Sequence, residues 1–450
     1  MNLTKRAEIL VKTRWGREAG LGLTSQVVPG LGTYLTDLPE VADRFSLLVR
    51  EKISLARTAE DDADVHTLTL SIGKQWFWNT TTSDRQDSPL DEERHRFHTM
   101  HSLEAVGAFF QTSKVSFVAG ARGEVEAFDQ SLDKAVFIEG AVQHQRLDEV
   151  VPTTLGSGAL YSEVRFDPVR AFSAVVGGRL EGNSTYGVDA APRVAIAVRP
   201  HPSLTLRASA GRGFRAPSAK EIGFVFDHSV YGYEVVGNPD LQPETSWGVQ
   251  GGIDWKVTKG VEWRSSAYAN WVSDLIDLRP TGRSSGGVDE YTYVNVGDAR
   301  TFGLETKLRA SAGKWIRAEA GYAYLFTSDD ERDVPLSGRP PHTLFVSVKV
   351  DTPVGFSAYG RLRGVTSAYL NPDDLGTAPA GSLALARAPG FANLDLRVSQ
   401  TFKRAIEIYG GILNVLGAEK NPTWIGDQRP VEGRTYYLGI RGDLPPPEDD

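Results

Sequence analysis

Three histidines spaced three apart, His95, His98 and His101, come closest in the 450 residues to a metal-binding set. In a strand, His95 and His101 share a face but stand roughly 20 Å apart at ~3.3 Å per residue, and His98 points the other way. That spacing predicts no common metal. Three acidic runs, Asp91-Glu92-Glu93, Asp329-Asp330-Glu331 and Asp373-Asp374, offer hard oxygen ligands of the kind Ca²⁺ takes, or simply solvated loop tips. Gly211-Arg212-Gly213 lacks the following helix that a dinucleotide loop needs and reads as a strand end entering a loop. No nucleophile–base pair, metal-ligand spacing or phosphate loop emerges, so the sequence nominates no catalytic residue, no metal ligand and no cofactor, and it predicts no enzyme.

Composition narrows the classes further. With no cysteine, the chain has no disulfide, thiolate nucleophile, Fe–S cluster or Cys-type zinc site. The balance of 49 Lys+Arg against 57 Asp+Glu, a net charge of −8, argues against a nucleic-acid partner held by bulk charge. No stretch approaches the roughly 18 consecutive apolar residues of a membrane-spanning helix. That excludes helical membrane proteins but not β-barrels, whose strands are polar at every second position. The 46 glycines and 43 aromatics (19 Phe, 15 Tyr, 9 Trp) suit strands and turns better than helices.

The elements that would carry any site follow from a period of two. In Ser203–Ala210, Leu204, Leu206, Ala208 and Ala210 form an apolar face and Ser203, Thr205, Arg207 and Ser209 a polar one. Leu394, Leu396 and Val398 oppose Asn393, Asp395, Arg397 and Ser399 in the same way. Short turns, such as Val257–Gly260, Ser311–Lys314 and Asp351–Gly355, alternate with long polar connections, such as 213–244, 278–291, 328–341, 366–389 and 417–433. A sandwich has no reason to gather its long loops at one end, whereas a membrane barrel does.

The resulting expectation is an all-β chain, a transmembrane antiparallel β-barrel of about 19 strands. About ten lie between Leu204 and Arg441, and nine lie near 6–15, 19–28, 45–57, 64–79, 95–111, 114–129, 158–167, 170–183 and 191–199. With an odd count, the first and last strands run the same way and could close only by parallel pairing. Residues 1–28 are therefore expected to be poorly formed, or the terminal strands to lack an antiparallel seam. The barrel is assigned to 1–444 and an acidic, Pro-rich tail to 445–450. The first twelve residues carry basic side chains without a signal peptide's apolar core or small-residue cleavage site.

Three segments carry a family likeness. The first is Leu204–Ile222 (LTLRASAGRGFRAPSAKEI), followed by Gly237–Ser246 (GNPDLQPETS). The others are Tyr293–Glu305 (YVNVGDARTFGLE), and Tyr409–Gly417 (YGGILNVLG) with Pro430–Ile440 (PVEGRTYYLGI). Together they resemble TonB-dependent outer-membrane receptors, well over about 158–442 and by pattern alone before that. The resemblance implies location in the cell outer membrane, contact with its lipid, and uptake of a small nutrient complex, such as a ferric siderophore or corrinoid, driven through TonB. Outer-membrane transporters of 22 strands carry a plug in the lumen. Against that expectation about three strands and the N-terminal plug are absent from this chain. The rival reading is a plugless, porin-like passive channel or a structural barrel.

Aromatic residues divide by position. Trp76, Phe77, Trp78, Trp263, Trp271, Tyr322 and Tyr324 are expected in interfacial girdles. Tyr231, Tyr233 and Trp424, in long loops, are candidates for stacking on a ligand. Arg207, Arg317, Glu319, Arg361, Arg363, Asp395 and Arg397 are expected to face the lumen. In the resembling family that wall meets the plug, which makes them candidate plug partners; a hydrated wall of mixed charge is the alternative.

Overall fold

The computed structural model describes residues 7–28, 32–58, 63–228, 232–370, 386–402, 406–419 and 433–442. Among the described residues eighteen strands form one sheet. It begins with β1 (Ala7–Val28), β2 (Gly32–Arg57), β3 (Asp64–Arg85), β4 (Glu92–Phe109), β5 (Val115–Ile138) and β6 (Ala141–Val169). Next come β7 (Phe172–Asn183), β8 (Gly187–His201) and β9 (Leu204–Arg215). Between β9 and β12 (Glu244–Thr258) lie helix α1 (Ala219–Gly223) and the short strands β10 (Val225–His228) and β11 (Tyr233–Val236). Between β13 (Val261–Ser273) and β16 (Ala299–Ala312) lie β14 (Leu275–Ser285) and β15 (Val288–Val296). The sheet goes on through β17 (Ile316–Asp329), β18 (His342–Asp351) and β19 (Phe356–Val365). After the short pair β20 (Ala368–Leu370) and β21 (Ala386–Ala388) it ends with β22 (Phe391–Phe402), β23 (Ile406–Leu413) and β24 (Thr435–Gly442).

Every strand of this wall pairs antiparallel with the next wall strand in sequence. The count is even, one below the nineteen expected. The extra strand came from reading Gly16-Arg17-Glu18 as a break, whereas β1 runs through it and pairs with β2 along its whole length. Two consequences correct part of the expectation, whose other arm, terminal strands without an antiparallel seam, is met. Residues 7–28 are a formed strand, and β1 and β24 run in opposite directions, so parallel closure is not what the topology calls for. Among the described residues the outer edges of β1 and β24 have no partner, and the barrel is not closed. Tyr436, Leu438 and Ile440 of β24 are 67–82% exposed, above the 38–51% of Leu206, Leu344, Val346, Val348, Leu396 and Val398 in the wall's middle.

The sheet is inside-out. Total accessible surface is 27597 Å², against roughly 17,000 Å² for a compact globular chain of this length. The large exposed apolar residues alternate along the strands, as in Phe302, Leu304 and Leu308 on β16 and in Leu344, Val346 and Val348 on β18. Arginines, carboxylates, serines and glycines occupy the other face. Residues from Ser173 on β7 to Phe345 on β18 line a single cavity of about 740 Å³. Flat strands ~4.8 Å apart would set those two positions far from each other, so the sheet curls around its polar face. On the apolar face, Trp255 opposes Trp263 and Trp247 opposes Trp271. Trp263 and Trp271 stand ~26 Å apart along β13, close to the ~25 Å apolar band of outer-membrane barrels.

Candidate functional site

The long connections gather at one end and build a crown above the wall. β5 and β6 run far beyond the 9–11 residues that a membrane crossing needs. They meet at Glu139-Gly140, where both residues adopt positive φ (52° and 85°), the conformation that a tight two-residue hairpin turn requires. The inward face of this extension holds a buried polar network. Glu149, 0% exposed, accepts hydrogen bonds from Arg94 Nε at 3.1 Å and from the Gln130 amide. Arg94 also pairs with Glu92 at 3.2 Å, and Glu92 with Arg85 at 2.9 Å. Arg96 donates to Gln130 and to Asn79, each at 2.9 Å. Burial, then the neighbouring Arg94, holds the Arg96 guanidinium below its usual range.

The connection after β9 folds back onto this network. Ser218 caps α1 by accepting from Glu221 N, and the Glu221 carboxylate accepts in return from Ser218 N. Arg215 clamps both ends of the connection, at 3.0 Å from Glu221 and 2.6 Å from Glu244. Burial pushes the Glu221 carboxyl up, but hydrogen bonds from Arg215 and Ser218 outweigh it and hold the group below its usual range. Burial draws the Lys220 ammonium down, with Arg96 adding to the effect. Val150, Phe224 and Val235 form an apolar cluster, with Tyr233, Tyr291 and Tyr293 against it. Arg94 stacks 4.9 Å over Phe226, and Lys134 pairs with Asp227.

Two crown loops are also joined to each other. β10, β11, β15 and β14 form a small sheet in which β11 and β15 pair in parallel. Asn295 accepts from Gln242 N at 2.8 Å, and its amide donates to Gln242 O at 2.9 Å. Asn238 donates to Tyr293 O at 2.9 Å. Gly237 sits where a Cβ would fall 2.6 Å from Phe224 N. The first two segments of family likeness, 204–246 and 293–305, therefore meet at one place.

The candidate lumen residues lie on the polar face. Arg207 pairs with Asp254, Arg317 with Asp351 at 3.2 Å, and Arg361 with Asp395 at 2.7 Å. Glu319 accepts from Lys307 and Arg309 at 2.6 and 3.0 Å. Arg397 pairs with Glu407 at 3.0 Å and lies 4.7 Å over Tyr409. Arg363 shares this face, opposite Phe345 and Asn393. Between the charges, flat rings cover glycines on the neighbouring strand, as Tyr161 covers Gly120, Tyr268 covers Gly303 and Phe345 covers Gly321.

Other candidates fall elsewhere. Tyr231, Trp424 and Asp373-Asp374 lie outside the described residues. Tyr233 meets Tyr291 edge-on at 6.3 Å, so its ring is engaged between the two joined loops. Phe77 corrects the girdle expectation: it faces inward under Arg44, 5.2 Å from its guanidinium, while Trp76 and Trp78 face out with Ile72. The two acidic runs within the described residues are not open tips. Glu92 is buried, Asp91 accepts from Arg85 N, and Asp330 pairs with Arg300 at 2.7 Å. Asp329 pairs with Arg279 at 3.6 Å, and Glu331 accepts from Gly297 N at 3.1 Å. His98 lies 2.9 Å from Glu126 and His95 3.5 Å from Asp133. Among the described residues no group of three such side chains could hold a metal. The sequence reading missed the Arg85–Glu92–Arg94–Glu149 network. Its signal was the same-face series Glu92, Arg94, Arg96, too charged for a lipid-facing strand.

Comparison with known proteins places these features in a family. A family model described as "TonB dependent receptor-like, beta-barrel" matches residues 33–415. An iron-regulated outer membrane virulence protein of Vibrio cholerae is 25% identical over 280 residues, 60% of this chain and 42% of that protein. The chain thus spans less than half the length of that curated relative. The siderophore receptor PirA from Acinetobacter baumannii superposes with a TM-score of 0.69 at 15% identity, covering 97% of this chain and 71% of PirA. The copper transporter OprC gives 0.70 at 15% identity, covering 95% and 72%.

Proposed function

Because the chain belongs to the β-barrel family of TonB-dependent receptors, which are outer-membrane transporters and not enzymes, we propose that it forms the wall and outer vestibule of a receptor for a scarce nutrient complex. A ferric siderophore is the first candidate cargo and a corrinoid the second, with energy delivered through TonB. The observation that carries this reading is the coincidence of the family match over 33–415 with an antiparallel wall whose long connections build one crown. The iron-regulated relative and the siderophore receptor of similar fold support the choice of cargo.

A receptor of this kind needs a globular plug inside the wall. Arg207, Arg317, Glu319, Arg361, Arg363, Asp395 and Arg397 are its proposed contacts, and Tyr233 at the crown, together with Tyr231 and Trp424 from outside the described residues, the proposed ligand contacts. A passive channel is the second reading, favoured by one observation: the charged inner face lines an open cavity of about 740 Å³. Uptake of labelled ferric siderophore by cells making the receptor, with and without TonB, separates the two. The receptor reading expects accumulation that disappears without TonB. Equal uptake in both strains, or a large ungated conductance in planar bilayers that an added plug domain leaves unchanged, would point to the channel.

A further inference from the structure

The outward face of the wall carries a lysine–histidine pair at the border of its apolar band. Register places Trp15, Phe45 and Trp76 in one row across β1, β2 and β3, and the Phe45 and Trp76 rings lie 5.1 Å apart. One step toward the short-turn end comes the row Thr13, Leu47, Lys74, His101 and Val125. The next row holds Val11, Val49, Ile72 and Leu103. Lys74 and His101 are therefore directly opposed neighbours where the apolar band meets the aromatic row.

Their surroundings single them out. Lys74 bends toward the long-loop end, so that Nζ lies 4.2 Å from the Trp76 ring, as a lysine does when it keeps its charge out of hydrocarbon. Other outward-facing cations near this height are answered by carboxylates: Arg17 by Asp43, Arg212 by Asp189 and Arg300 by Asp330. Among the described residues neither Lys74 nor His101 has an ion-pair partner, and no carboxylate stands in their own row. A cation at this depth requires an anion or water.

We propose that Lys74 and His101, with the Trp76 ring beside them, bind the phosphate of an anionic lipid in the outer leaflet. The lysine supplies the fixed charge, the imidazole a hydrogen-bond donor, and Leu47, Val125 and Ile72 a surface for acyl chains. This inference is independent of the cargo.

The test uses the full chain in nanodiscs equilibrated with diphosphoryl lipid A or with its dephosphorylated form, bound lipid being counted by native mass spectrometry. Wild type is expected to retain the phosphorylated lipid about 5-fold better, the scale of one basic residue at an anionic surface. Lys74→Met is expected to bring that ratio near one, Lys74→Arg to preserve it, and His101→Gln to lower it partway. Heat-modifiable mobility on gels identifies folded protein, and if Lys74→Met does not fold, the wild-type ratio and His101→Gln decide. Equal retention of the two lipids by wild type, or an unchanged ratio in both Lys74→Met and His101→Gln, overturns the proposal.

Discussion

The wall and the crown of this molecule are held together by opposite means. In the wall, apolar side chains point out, the polar face is lined by exposed ion pairs, and almost nothing is buried between layers. In the crown, apolar residues gather inside around Val150, Phe224 and Val235, and charged groups are buried among themselves. The wall needs a lipid solvent and a closed ladder of backbone hydrogen bonds. The crown behaves like a small globular protein built on top of it. A substitution should therefore have opposite consequences in the two regions: an inserted charge is costly on the wall's outer face, and a removed charge is costly inside the crown.

The largest effect is expected from Arg94→Ala. It strands the fully buried Glu149 carboxylate and breaks the link to Glu92, and removing one partner of a buried pair costs about 3–5 kcal/mol. Hydrogen exchange should rise along 85–96, 130–150 and 219–236 while the wall strands stay protected. Replacing both partners, Arg94→Met with Glu149→Leu, should recover most of the loss. Loosening of the wall to the same degree as the crown would mean that the two regions are not separable.

Next in size is a charge on the wall. Val346→Arg places a guanidinium near the middle of the lipid-facing band, at a cost of about 2–4 kcal/mol. Ser347→Arg, one residue on, points to the polar face and should cost less than about 1 kcal/mol. Folding titrations into lipid vesicles measure both, and equal tolerance would contradict the assignment of faces.

How far the sequence could be read follows the same division. The wall was legible because period-two alternation is a local signal, and Leu206, Val346 and Leu396 lie on the face that it assigns. The strand count failed by one because Gly16-Arg17-Glu18 has the composition of a turn, whereas β2 supplies a partner along the whole of β1. The crown was not legible. Glu149 and Arg94 meet from segments 55 residues apart, and the motif glycine and asparagines act through Phe224, Tyr293 and Gln242, contacts that only the folded chain creates. The sequence could mark Gly237–Glu244 and Tyr293–Gly297 as distinctive, but not that each holds the other.

That mutual hold gives a middle-sized prediction. Asn295→Ala removes hydrogen bonds to both sides of Gln242 and to Asp274 O, with a net cost of about 1–3 kcal/mol. The loss should appear as paired loosening of 225–243 and 275–296. Loosening of only one loop would show that the small sheet, rather than Asn295, joins them.

The smallest expected effect is a dependence on pH confined to the crown. Glu221 is held below its usual value of 4.5 by Arg215 and Ser218 against the upward push of burial, while Arg215 is held above its usual range by Glu244 and Glu221. A carboxylate whose folded pKa is depressed contributes stability that is fully present above its unfolded value and lost as pH falls through the folded one. Arg215 stays charged throughout, so the change belongs to the acid. As pH falls from neutral through about 4.5 and below, the α1 cap should loosen and amide exchange over 218–224 should rise after correction for intrinsic rates. Glu221→Gln should make exchange there faster at the higher pH and nearly independent of pH. A wild-type profile that stays flat, or one whose slope survives Glu221→Gln, would place the titrating group elsewhere and leave the Arg215 clamp as a contact without a pH-dependent role.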